Sequence, residues 1–287
     1  MKLVRFGTPG SERPGVVDRN GRIRDLSGRV DDIAGDNLSE ANLRRVAMLD
    51  EQTLPLIPEG TRLGPCVGRV GKMVCVGLNY SDHAAESNMD VPTEPVLFMK
   101  ATSAIAGPCD DVKIPPDANK VDWEVELGVV IGREARYVTR ERALEYVAGY
   151  CVVNDVSERA YQLERGGQWD KGKGCDTFGP LGPWLVTRDE ISDPQALHLW
   201  LEVDGKRYQD GNTRTMIFDV ATLVSYISQF MSLQPGDVIS TGTPPGVGMG
   251  QKPEPVYLRA GQTMRLGISG LGEQRQRTVA VSIQEVQ

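Results

Sequence analysis

The chain has 287 residues, enough for one large domain or two unequal ones. A formal charge of -7, with no basic stripe, excludes a binder of phosphate backbones, and no apolar run approaches the roughly 20 residues that cross a bilayer. With 40% hydrophobic and 25% charged residues and no apolar signal core after Met1, the composition is that of a soluble globular protein, and the cytoplasm is its expected location.

Residues 1–68 read as a small α+β opening domain. Leu3-Val4-Arg5-Phe6, Gly15-Val16-Val17-Asp18 and Arg22-Ile23-Arg24-Asp25-Leu26 predict short strands, the last two joined by a turn through Asn20-Gly21. Ser39 to Leu49 predicts a helix with Ser39 as its N-cap. Pro55, Pro58, Gly60, Gly64 and Pro65 mark a turn-rich boundary.

Residues 69–287 read as a strand-rich second domain. Met73 to Leu78 is a buried strand, followed by a helical stretch from about Ser81. Further strands are expected at 95–100, 124–131, 150–155, 183–187, 198–203, 237–240 and 278–285. Helices are expected at 139–148, 157–164 and 219–230, the last capped by Asp219. Helices do not alternate strictly with strands, so the pattern favours α+β, or a mixed β-roll, over a doubly wound sheet.

The five cysteines form no C-x-x-C pair and suggest neither a disulfide framework nor a thiolate zinc site. His83 and His198 are the only histidines, so a zinc site built on several imidazoles is excluded within one chain. Any metal must be held mainly by oxygen, which suits magnesium, manganese or calcium.

The run Trp123-Glu124-Val125-Glu126-Leu127-Gly128 places two carboxylates on one face of a strand. Side by side they repel each other and lose hydration, which a divalent cation would offset. Asp155, at the end of the apolar strand Tyr150 to Asn154, offers a third ligand. Asp122 lies on the same face as Glu124 and is a further candidate. Against this stand an ordinary exposed strand face for Glu124 and Glu126 and a helix cap for Asp155.

His83 and Glu86, at i and i+3 on a helix, can touch, and a carboxylate beside imidazole raises its basicity. They suit a general base for water or a plain surface pair, and Asp82 is an equal candidate partner. Arg159 and Gln162 share a helical face. Lys173 lies in the glycine-rich run Gly166 to Gly174, where a cation can meet developing negative charge or simply be solvated. Ser240 to Gly248 is a Gly/Thr loop after a strand, able to bind a carboxylate or to serve as a tight turn. It lacks the Gly-Lys-Ser/Thr of a P-loop. His198, alone on its strand, reads as structural.

Together these segments resemble the fumarylacetoacetate hydrolase family. The motifs are Gly77-Leu78-Asn79-Tyr80-Ser81-Asp82-His83 with Glu86, then Asp122 to Gly128, then Asn154-Asp155-Val156-Ser157-Glu158-Arg159 with Gln162, then Gly172 to Pro180, then Thr241 to Gly248. They run in order from about residue 70 to 270. The resemblance implies a mixed β-roll catalytic domain, usually in a homodimer, with Mg²⁺ or Mn²⁺ on Glu124, Glu126 and Asp155. It implies that His83 with Glu86 activates water, that Lys173 stabilises an oxyanion with Arg159 and Gln162, and that Thr243 contacts a substrate carboxylate. Animal members carry a further acidic ligand before the histidine. Met73-Val74-Cys75-Val76 offers none, so the chain looks like the smaller bacterial branch. Within that branch it is similar to hydrolases of L-2,4-diketo-3-deoxyrhamnonate, which give pyruvate and L-lactate. Oxaloacetate-type decarboxylase, hydroxydienedioate isomerase and ureidoglycolate lyase are the alternatives within the family, and a non-catalytic carboxylate-binding protein is the alternative of another class.

Overall fold

The computed structural model describes residues 1–82 and 91–281. Strands dominate, with few and short helices, so the class is mixed α+β as expected. The opening strands are β1 (Lys2–Phe6), β2 (Arg13–Val17) and β3 (Ile23–Asp25). They are followed by β4 (Met73–Gly77), β5 (Val96–Lys100), β6 (Ile105–Ala106), β7 (Val112–Ile114), β8 (Val121–Asp122) and β9 (Val125–Ile131). Next come β10 (Val147–Asn154), β11 (Ser157–Glu158), β12 (Gly179–Thr187), β13 (His198–Val203) and β14 (Lys206–Asn212). The last are β15 (Val238–Ser240), β16 (Thr263–Ile268) and β17 (Gly272–Ala280).

The main sheet has ten strands in the order β3-β2-β1-β12-β10-β9-β15-β4-β5, with β6 pairing β12 from off this path. A second sheet runs β14-β13-β16-β17-β7, and β11 pairs β8 in a small ribbon. The opening strands are therefore an edge of the main sheet, joined through Lys2 opposite Val186 and Leu3 opposite Leu185.

Side-chain alternation explains why β9 is buried throughout. Val125, Leu127, Val129 and Ile131 enter one core with Leu199, Leu201, Met264 and Leu266 of the second sheet. Val130, on the opposite face, enters another core with Leu3, Val16, Leu26 and Leu38 of the opening segment. Glu124 and Glu126 have the parity of Val130, so their face is buried rather than solvated.

Expectations for three runs differ. The helix expected at 157–164 opens as strand β11 and is helical only over Arg159–Leu163, because Ser157 and Glu158 pair with β8. The helix expected at 139–148 is a 3-10 turn over Arg140–Tyr146 that gives way to β10, because the run Val147 to Val153 is apolar and β-branched. The glycine-rich run around Lys173 contains a short helix, Asp170–Lys173, and Lys173 is 2% exposed rather than solvated. The helix Val220–Ile227 is capped as expected, the Asp219 carboxylate accepting the Thr222 amide. Ser39 precedes the helix Glu40–Ala47, but its side chain makes no cap bond. Among the described residues no helix is long and apolar enough to cross a membrane.

Candidate active site

Three strand ends converge on one buried cluster. Glu124 lies in the break between β8 and β9, where side chains replace the missing ladder bonds. Its amide donates to Asn154 Oδ1 at 3.4 Å, and the Val125 amide donates to Gln209 Oε1 at 2.9 Å. Glu126 follows on β9, and Asp155 comes just after β10, its amide bonded to the Glu124 carbonyl at 2.9 Å. One carboxylate oxygen from each of Glu124, Glu126 and Asp155 lies within 4.8 Å of the others.

The cations around them are also buried. Lys173 Nζ donates to Glu124 Oε2 and to Asp155 Oδ2, both at 2.7 Å. Arg159 bridges Asp122 at 2.7 Å and Glu124 at 2.5 Å, and donates to Gln162 Oε1 at 3.0 Å. Asp122 also accepts the Met249 amide and stays outside the trio. Lys100, at the end of β5, places Nζ 2.5 Å from Asp155 Oδ1 and donates to the Val156 and Lys173 carbonyls. The Asp155 contact is an ion pair outside hydrogen-bond geometry, so Asp155 Oδ1 is buried with no hydrogen-bond donor.

Glu126 differs from its neighbours. It accepts Ser240 Oγ at 2.5 Å and the Gly242 amide at 2.9 Å, both neutral donors. Burial, and then the charges of Asp155 and Glu124, push its carboxyl well above the usual range. For Glu124 burial also pushes upward, but Lys173 and Arg159 overcome it and hold the group well below that range. For Asp122 burial wins over Arg159, and its carboxyl rises to about 6. Four carboxylates (Asp122, Glu124, Glu126 and Asp155) thus face three cations (Lys100, Arg159 and Lys173). A buried, uncompensated carboxylate costs several kcal/mol, so an additional cation is favoured here. The all-oxygen trio, the Asp155 oxygen without a hydrogen-bond donor among the described residues and the purely neutral donors on Glu126 fit a hard divalent ion.

The other expected residues fall as follows. Arg159, Gln162 and Lys173 all join the cluster. Thr243 is 4% exposed, and its hydroxyl donates to the Val125 carbonyl at 2.8 Å and accepts Gln209 Nε2 at 2.8 Å. His83 and Glu86 lie outside the described residues. Asp82 lies 3.3 Å from the Thr215 hydroxyl. His198 is exposed and meets Asp210 at 2.5 Å, away from the cluster. Tyr80 buries its hydroxyl without a hydrogen-bond partner among the described residues, and burial followed by the charge of Glu126 raises its pKa.

Sequence reasoning assigned no role to Lys100, Asn154 or Gln209, and the loop from Ser240, read as able to bind a carboxylate, binds that of Glu126. Lys100 had a signal, because a lysine ending the apolar strand Val96 to Met99 parallels the carboxylate ending Tyr150 to Asn154. Gln209 had none, since only the packing of the second sheet brings it to Val125.

Residues 72–279 match the family model described as fumarylacetoacetate (FAA) hydrolase, C-terminal. A Burkholderia multivorans protein named "Putative hydrolase" is 68% identical over 280 residues, covering 98% of this chain and 99% of that one. A solved fumarylacetoacetate hydrolase from Exiguobacterium antarcticum is 38% identical with a TM-score of 0.85, covering 98% of this chain and all (100%) of that one. A solved maleylpyruvate hydrolase from Sphingobium sp. SYK-6, in complex with manganese(II) and pyruvate, is 30% identical with a TM-score of 0.81, again covering 98% and 100%. With its buried acidic trio and with this match over most of its length, the chain belongs to the fumarylacetoacetate hydrolase family.

Proposed function

We propose that the protein is a metal-dependent hydrolase that cleaves the C3–C4 bond of a 2,4-diketo acid, acting as a cytoplasmic homodimer. The substrate assigned by this reading is L-2,4-diketo-3-deoxyrhamnonate, with pyruvate and L-lactate as products. The observation that supports it is the buried trio Glu124, Glu126 and Asp155 carrying surplus negative charge beside Lys173 and Arg159. Mg²⁺ or Mn²⁺ on that trio would supply Lewis acidity toward the 2-oxo acid end of the substrate.

The chain's own groups do the rest. His83, oriented by Glu86, takes a proton from water as the oxygen adds to C4. Lys173 and Gln162, with Arg159, face the oxyanion that forms at C4. The C3–C4 bond then breaks with its electron pair going to C3, and C3 gains a proton to give pyruvate. Thr243 borders the substrate. Its hydroxyl proton is given to Val125, so a substrate carboxylate there would exchange with that bond.

His83→Ala is expected to lower pyruvate release by at least about 100-fold. Mg²⁺ affinity, measured by calorimetry, is expected to stay at the wild-type value. Near wild-type turnover in the variant would remove His83 from this role. A panel of 2,4-diketo acid, oxaloacetate, hydroxydienedioate and ureidoglycolate, scored for pyruvate, CO₂, isomer and glyoxylate, separates hydrolysis from the other reactions of the family.

A further inference from the structure

We propose that Phe98 and Trp169 form a wall that reads the substrate beyond C4 and selects an uncharged tail over a carboxylate tail. This inference rests on the 2-oxo acid reading given above.

Its first support is position. Lys173 Nζ bridges Glu124 and Asp155 at 2.7 Å each, and the same ammonium lies 5.1 Å from the centre of the Phe98 ring. Trp169 meets Phe98 edge to face, with centroids 5.4 Å apart at 61°. Trp169 also lies one helical turn before Lys173, whose amide donates to the Trp169 carbonyl at 3.1 Å. The carboxylates and Lys173 are buried, whereas both rings are half-buried. The rings therefore adjoin the cluster on its more open side.

The second support is fit. Trp169 lies directly on the backbone of Gly77, where a methyl group would come within 2.6 Å of its ring. Asp170 Oδ1 accepts the Met99 amide at 3.3 Å, which ties the start of the Trp169 helix to the Phe98 strand. Phe98 on strand β5 and Trp169 at the start of the helix Asp170–Lys173, resting on Gly77 of strand β4, thus form one surface.

The third support is charge. An aromatic face is electronegative and gives a carboxylate no favourable contact. The nearby cations are engaged elsewhere among the described residues. Lys100, Arg159 and Lys173 pair with the buried carboxylates, and on the reading above Lys173 and Arg159 serve the oxyanion at C4 rather than a tail beyond it. Lys171 Nζ donates to the Arg165 carbonyl at 2.6 Å, and the Arg165 guanidinium stacks 4.2 Å from the Tyr161 ring centre. Asp170 adds a negative charge beside the wall. A methyl tail loses nothing against these rings and a hydroxyalkyl tail loses far less than a carboxylate tail, which gives up the hydration of a full charge without a partner.

Binding and turnover test this separately. With Mg²⁺ present, calorimetry on the full chain compares 2-oxopentanoate with 2-oxoglutarate, which have equal carbon counts and differ in tail charge. The wild-type protein is expected to bind 2-oxopentanoate at least about tenfold more tightly. Trp169→Ala should lose most of this preference, Trp169→Arg should reverse it, and Trp169→Phe should keep it. Equal wild-type affinities, tighter binding of 2-oxoglutarate, or a preference unchanged in both Trp169→Ala and Trp169→Arg would overturn the proposal. Pyruvate release from 2,4-dioxopentanoate and 2,4-dioxoheptanedioate is scored alongside. Release from neither refutes the hydrolase reading, while the binding comparison still decides the wall.

Discussion

A single lysine shows how closely this site balances charge. Lys100 is fully buried and makes contact with Asp155, which among the described residues otherwise has only Lys173 as a cationic neighbour. Removing one partner of a buried pair leaves the other charged and unsolvated. Lys100→Met is expected to cost about 3–5 kcal/mol in urea unfolding, far more than a surface lysine would. Asp18 makes a related point in the opening segment, where it bears on pH. Burial pushes its carboxyl up, but the Arg22 amide, the Arg24 guanidinium and the Asn20 amide together hold it at about 2, below its ordinary 3.8. A depressed folded-state pKa adds stability above pH 3.8, and this stability is lost as pH falls toward 2. Asp18→Asn is therefore expected to lower Tm at pH 7, with the gap to wild type closing between pH 4 and pH 2. A gap of constant size across that range would mean that the hairpin does not depend on the Asp18 charge.

Among the elements, the break between β8 and β9 is where position is converted into chemistry. Regular pairing would satisfy the Val125 amide from a neighbouring strand. Instead Gln209, from β14 of the second sheet, accepts that amide and donates to the Thr243 hydroxyl and the Pro244 carbonyl. Gln209→Leu should strand a buried donor and cost about 1–3 kcal/mol in unfolding. It should also weaken Mg²⁺ binding, because Val125 lies between Glu124 and Glu126. Unchanged metal affinity in a folded variant would assign Gln209 to stability alone. The sequence made the E-x-E strand legible, because alternation alone places both carboxylates on one face. It also made Asp155 legible, as a charge ending an apolar run. It could not reveal that this face is buried, since Arg159, Lys173 and Ser240 cover the two carboxylates and the opening segment covers Val130 further along the strand. Nor could it reveal that Lys173 leaves its glycine-rich run to stand between two carboxylates. Strand β16 escaped for a local reason, because Thr263-Met264-Arg265-Leu266-Gly267-Ile268 alternates but carries a glycine and sits in turn-rich surroundings.

For the molecule as a whole, the opening segment and the remainder share a core. Leu3, Val16, Leu26 and Leu38 pack with Met73, Cys75, Val130 and Cys151, and β1 pairs β12 within the main sheet. Removing residues 1–68 would uncover that face and expose a long unpaired strand edge. A chain of residues 69–287 alone is expected to lose cooperative thermal unfolding and to aggregate. A soluble fragment with a sharp transition would show that the second segment folds by itself.

The strand order also sets a timetable for synthesis. β9 lies between β10 and β15, and β15 lies between β9 and β4, although β15 ends at Ser240 and β4 begins at Met73. A ribosome that has made Glu124 and Glu126 must still deliver Lys173 and Ser240 before those acids gain their partners. At ordinary elongation rates of about 5–20 residues per second, that interval lasts seconds. During it the nascent chain carries a largely apolar strand with two adjacent acids and an unfilled neighbour on one side. The arrangement that concentrates charge in the core thus makes the segment around Ser240 the part that completes the middle of the fold.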